Sequence, residues 1–112
     1  MTGIGQRYGV RAARTLAFRR SFRAKGLLVP DRVYGLKWSG AMTKERVRGI
    51  LDALPDGLNE IYMHPATGPY RGSAPGYRHA EELAALTDRQ AIEFLKSSGL
   101  RCGGFADFAP AQ

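Results

Sequence analysis

The chain has 112 residues, 44% hydrophobic and 10% aromatic, a size and composition that suit one globular domain with a modest core and argue against two independent domains or a disordered chain. Its net charge of +7 is uneven: residues 1–50 hold 12 Lys/Arg against 2 Asp/Glu, and residues 51–112 hold 5 against 8. No apolar run approaches the roughly 18 residues of a membrane span, no secretory signal opens the chain, and the single Cys102 excludes an intrachain disulfide, so the expected location is the cytoplasm.

The stretch "MTGIGQRYG" carries three glycines and little pattern and reads as a loose start. A helix is expected over 10–25, with Val10, Ala13 and Ala17 on one stripe, Phe18 and Phe22 beside it and arginines elsewhere, stopped by Gly26. Such a basic helix can bind phosphates with its phenylalanines stacking on bases, or it can pack with Phe18 and Phe22 in a core. The four-residue spacing favours packing over nucleic acid. "DRVYGLKW" predicts a strand over 32–38 with a bend at Gly35, and "SGAM" a loop. Thr43 can then cap a helix over 43–54, in which Val47, Ile50, Leu51 and Leu54 share a face and Pro55-Asp56-Gly57 ends the run.

"LNEIYMH" predicts a strand over 59–64 that delivers His64 and Pro65 at its carboxyl end. The pleat sends Tyr62 and His64 to one face and Ile61 and Met63 to the other. A loop follows in which Gly68, Gly72 and Gly76 let the chain fold over the strand end as a lid. Helices are expected over 79–98: "HAEELAAL", then "DRQAIEFLKSSG" opened by a capping box of Thr87 and Gln90 and stopped by Gly99. "LRCGGFADF" predicts a last strand over 101–107.

Strands separated by amphipathic helices point to parallel β-α-β units, an α/β fold with about three mostly parallel strands and flanking helices. Functional groups in such sheets gather at the carboxyl ends of strands. His64 sits there, where it can act as a general acid or base or simply anchor the loop. His79, in the first turn of a helix, reads as a surface residue, and Glu81 and Glu82 as the favourable acidic first turn. Two histidines and one cysteine fit no zinc spacing, and there is no nucleophile elbow, phosphate loop or dinucleotide fingerprint.

Taken together, "DRVYGLKWSGAMT", "GLNEIYMHPATGPY", "GYRHAEELAALTD" and "GGFADF" resemble the C-terminal part of the YdjC-like carbohydrate deacetylases, and within them the hopanoid biosynthesis-associated branch, HpnK, from about Arg20 to Phe108. The resemblance implies a partial (β/α) barrel-like fragment, with residues 1–25 a basic N-terminal segment and helix and residues 26–112 the C-terminal part of the deacetylase domain. It implies hydrolysis of an N-acetyl group on an amino sugar, with hopanoid-linked glucosamine as the substrate class. A divalent metal, Mg or Zn, would polarise the carbonyl and activate water. His64 would be the proton donor, and Tyr77, Arg78, His79 and Glu82 would bind substrate or brace the site, with Arg78 or His79 taking the place of the family's arginine. The family's Asp-Asp segment and metal-binding histidine motifs have no counterpart in this sequence, so no metal is expected to be held by this chain alone. A C-terminal fragment, inactive by itself, is therefore expected, with a glycolipid or amino sugar as ligand and a complementing N-terminal half or self-association as partner. Open sheet edges would favour such association. The alternative is a basic interaction module that binds nucleic acid or an anionic membrane through its N-terminal helix.

Overall fold

A computed structural model describes residues 9–109, with side chains from Leu16 onward. Residues 1–8 of the expected loose start lie outside the described residues, as do the side chains of Val10 and Ala13. The chain divides into two compact units, Pro30–Arg101 and a second drawn from the two chain ends on either side of it. Among the described residues no helix is long and apolar enough to cross a membrane.

Within Pro30–Arg101, β1 (Arg32–Tyr34) pairs in parallel with β2 (Asn59–Ile61), Val33 opposite Glu60, and α1 (Lys44–Asp52) makes the crossover between them. The expected α/β class and parallel pairing hold. Both strands are shorter than expected. β1 ends because Gly35 is buried at φ 103°, where a Cβ would run into the Tyr62 carbonyl oxygen, and tight turns follow, Trp38 N–H bonding the Gly35 carbonyl at 3.2 Å and Ala41 N–H the Trp38 carbonyl at 2.8 Å. β2 keeps one more ladder bond, Tyr62 N–H to the Tyr34 carbonyl at 2.8 Å. Beyond it, the His64 N–H turns to a side chain of a later helix. The strand entrances are stitched where Asp31 accepts the Leu58 N–H at 2.8 Å.

Thr43 stands at the N-cap of α1 as expected, but only its main-chain carbonyl works there, accepting the Val47 N–H at 2.9 Å. Two further helices follow, α2 (His79–Leu86) and α3 (Arg89–Ser98). The expected Thr87–Gln90 capping box is displaced by one residue. Asp88 caps α3, accepting the Ala91 N–H at 3.0 Å, because the Thr87 hydroxyl is already donating to the Leu83 carbonyl at the end of α2. Gly99 ends α3 at φ 77°, a left-handed conformation that favours glycine. Met42, Val47, Leu51, Ala85 and Ala91 form the buried core, with Ile61, Met63, Phe94 and Leu95 packed against it. Arg48 fastens α3 to α1, its guanidinium donating to the Gln90 carbonyl at 3.0 Å and lying 4.6 Å from the Phe94 ring centre.

In the other unit, α4 (Gly9–Ala24) carries five arginines and no acidic residue. Phe18 and Phe22, expected in a core, are 62% and 42% exposed and stack on each other at 6.2 Å instead. Ala17 of the expected stripe is exposed too. From Leu16 onward, arginines interrupt the apolar residues, and the described side chains form no continuous core-forming face. The expected strand over 101–107 is also corrected: Phe105–Phe108 is a short helix, α5. Asp107 closes that turn, its carboxylate accepting the Gly104 N–H at 2.7 Å and its own N–H bonding the Gly104 carbonyl at 3.0 Å. Local capping thus outweighs the weak β propensity of a Gly-Gly stretch. Among the described residues the sheet therefore has two strands, not three.

Candidate functional site

At the carboxyl end of β2 the period-2 pleat sends Ile61 and Met63 toward the core and carries Tyr62 and His64 on the other face. The Tyr62 and His64 rings meet edge to face at 4.6 Å, and the Tyr62 hydroxyl lies 3.1 Å from His64 Nε2. The Tyr77 ring also meets the imidazole edge to face, at 5.1 Å. His64 Nδ1 is buried with no hydrogen-bond partner. Nε2 is the nitrogen that meets the Tyr62 hydroxyl, and neither ring nitrogen bonds the backbone.

Beneath this ring, the first turn of α2 supplies two buried polar side chains. His79 is 3% exposed and Glu82 0%. They are three residues apart and so share one helix face. His79 Nδ1 lies 2.7 Å from the His64 carbonyl oxygen, which can only accept, so Nδ1 carries the proton and donates. Glu82 Oε1 accepts the His64 N–H at 2.8 Å. The surface role expected of His79 is therefore overturned, whereas Glu82 does lie in the acidic first turn of α2 as expected, fully buried there.

The cause lies in the docking of the helix start between two loops. Arg78 N–H bonds the Gly40 carbonyl at 2.7 Å, and Ala66 N–H bonds the His79 carbonyl at 3.2 Å. Gly40 is buried at φ 78°, with the Tyr77 ring occupying the space a Cβ would need. Glu81 does stay on the surface, pairing with Arg78 at 3.6 Å, both side chains 58% exposed, a contact worth little in water. The structure thus gathers His64, Tyr77, His79 and Glu82 and leaves the Arg78 side chain outside, its main chain alone taking part.

One aromatic neighbour, Tyr70, escaped the sequence reading of the site. Tyr62 was legible in the alternation that presents His64, and only its hydroxyl contact shows that it belongs with it. Tyr70, 5.2 Å from the His79 ring, comes from the long loop and left no local signal. Of the three glycines in that loop, Gly72 and Gly76 take positive φ, 87° and 79°, and Gly68 does not.

Three buried atoms at the site lack protein partners: His64 Nδ1, His79 Nε2 and Glu82 Oε2. Buried polar atoms are usually satisfied, so such a concentration marks a place where folding stability has been given up. Even so, no three His, Cys, Asp or Glu side chains among the described residues stand together in a way that could hold a metal ion. The residues present do not fit the divalent metal that the resemblance implies. What this arrangement can do chemically is exchange a proton at His64 Nε2, on a ring that Tyr62 and Tyr77 both meet edge to face.

Compared with known proteins, the chain matches the family described as YdjC-like protein over residues 2–97. That match starts well before Arg20 and ends within α3, taking in the basic helix α4. No curated protein and no solved structure matches the chain.

Proposed function

We propose, from the premise that the chain belongs to the YdjC-like protein family, that it takes part in removing an acetyl group from an N-acetylated amino sugar and contributes the proton donor, His64. The family's function is in general of the carbohydrate deacetylase type and generally metal-dependent. The observation that carries the reading is the pose of His64: just past a strand's carboxyl end, with Nε2 beside the hydroxyl of the 40% exposed Tyr62.

In amide hydrolysis a water oxygen bonds to the acetyl carbon, and the carbon–nitrogen bond then breaks. The departing nitrogen needs a proton, since an amide anion is a very poor leaving group. His64 in its imidazolium form gives that proton from Nε2, and acetate and a free amino sugar result. Tyr62 orients the ring by its hydroxyl. Tyr70, 59% exposed, and Tyr62, 40% exposed, offer apolar faces to a sugar ring. The loop over 65–78 covers the substrate, turning at Gly72 and Gly76. Because no metal set forms among the described residues, the metal-binding groups come from outside them, and these residues are inactive alone. Hopanoid-linked glucosamine is the substrate we propose within the amino-sugar class.

The purified chain should release no acetate from N-acetylglucosaminyl substrates with Mg or Zn. Mixed with a polypeptide carrying the metal-binding half of a YdjC-like deacetylase, it should gain turnover, and His64→Ala should lower that turnover by about 10²–10⁴-fold. Turnover by the chain alone that His64→Ala abolishes would overturn the need for a partner and keep the site. Complemented turnover indifferent to His64→Ala would overturn the site.

A further inference from the structure

We infer that His79 and Glu82 are positioning residues that hold the His64 imidazole through its main chain, and that they act by hydrogen-bond geometry rather than by charge. The inference rests on the reading of His64 as the proton donor. In an extended strand the N–H and C=O of one residue point to the same side, where a neighbouring strand would bond both. Here α2 takes that neighbour's place. Glu82 Oε1 receives the His64 N–H at 2.8 Å and His79 Nδ1–H reaches the His64 carbonyl at 2.7 Å, from side chains one helical turn apart.

The helix thereby holds the main chain just beyond β2 and fixes the direction in which the His64 side chain leaves the backbone. Pro65 follows, and its ring keeps His64 in the extended region. With the backbone held at both polar groups, the imidazole keeps only its side-chain rotations, and these are confined by the rings of Tyr62 at 4.6 Å and Tyr77 at 5.1 Å. Burial supports the assignment, since His79 and Glu82 are 3% and 0% exposed and neither can reach a substrate in solvent. Arg78, the nearest cation in sequence, spends its guanidinium on Glu81, and the bond that Glu82 does make is to a neutral N–H. An acceptor at 82 and a donor at the Nδ1 position of residue 79 are therefore the requirement.

This predicts an order among variants that a general structural role does not. Glu82→Gln keeps an acceptor oxygen and should preserve the site. Asn at position 79 sets its amide nitrogen where Nδ1 lies, whereas Gln sets it where Nε2 lies, so His79→Asn should preserve the site and His79→Gln should not. NMR of the full-length chain gives the readout. The His64 ring protons should carry shifts from the flanking Tyr62 and Tyr77 rings, and the His64 amide should be protected from exchange. Both signatures should survive in Glu82→Gln and His79→Asn. In Glu82→Ala and His79→Gln the ring shifts should collapse and the amide should exchange roughly tenfold faster or more, the loss of one hydrogen bond.

A folded Glu82→Ala chain with unchanged His64 ring shifts overturns the inference. So does a His79 pair that behaves alike, or in which Gln is retained and Asn lost. Should Glu82→Ala fail to fold, the His79 pair decides. None of these measurements needs turnover, so failure of the clamp is separable from failure of the deacetylase assignment, which the acetate assay reads.

Discussion

The two faces of β2 are built by different physics. Behind the strand, Ile61 and Met63 lie with Val47, Leu51, Ala85 and Leu95 around an apolar pocket of about 310 Å³. In front, Tyr62 and His64 are held by one hydroxyl contact, edge-to-face rings and the two hydrogen bonds from α2. Apolar contact is non-directional, so the back face needs side chains of about the right volume. Hydrogen bonds are directional, so on the front face a single atom matters. Damage behind the strand should lower stability and spare the site, and damage in front should disturb the site at smaller cost in stability.

The largest effect is expected from Leu51→Ala. Leu51 is 6% exposed in the core, and its truncation should cost about 2–5 kcal/mol in urea unfolding. The His64 ring shifts should stay as they were in the protein that remains folded, and their loss before global unfolding would break the contrast between the faces.

Gly40→Ala should come next, at about 1–3 kcal/mol, from forcing a side chain into a positive-φ position against the Tyr77 ring. Because Tyr77 must move, the His64 ring shifts should change here although no front-face residue has been replaced. Unaltered shifts would show that Tyr77 does not confine the imidazole.

Tyr62→Phe is the smallest and sharpest case. Tyr62 is 40% exposed, and removal of its hydroxyl should alter stability by no more than about 0.5 kcal/mol. The His64 Nε2 resonance should nevertheless shift, as the hydroxyl at 3.1 Å is lost. A silent spectrum would remove Tyr62 from the site.

Much of the scaffold was legible because it follows from local periodicity. The i, i+3, i+4, i+7 spacing of Val47, Ile50, Leu51 and Leu54 does mark α1, and the alternation through Ile61, Tyr62, Met63 and His64 does assign each to its face. The bend at Gly35 was legible too, though not that it would end β1 at Tyr34. The capping box was misplaced because Thr87 and Asp88 compete for adjacent helix ends, and sequence spacing does not say which end each hydroxyl or carboxylate serves. Phe18 and Phe22 have the spacing of a core pair in a helix whose partner face the spacing cannot supply.

By itself, the sequence determined where the helices of the Pro30–Arg101 unit lie, that the strands run parallel with a helix between them, and that His64 leaves the sheet at a carboxyl end beside Tyr62. The helices and the strand alternation depend on residues within a few positions of one another, and the parallel direction on the order of the elements. The tertiary structure alone decided that His79 and Glu82 are buried, that Arg78 is not, and that the main chain just beyond β2 bonds to a helix. The bonds responsible join His64 to residues 15 and 18 positions away. No local pattern distinguishes an acidic first turn that faces water from one that faces a strand end. The choice was made by where the start of α2 is pinned, at Gly40 and Ala66, and a buried carboxylate there is tolerated only because a main-chain N–H meets it.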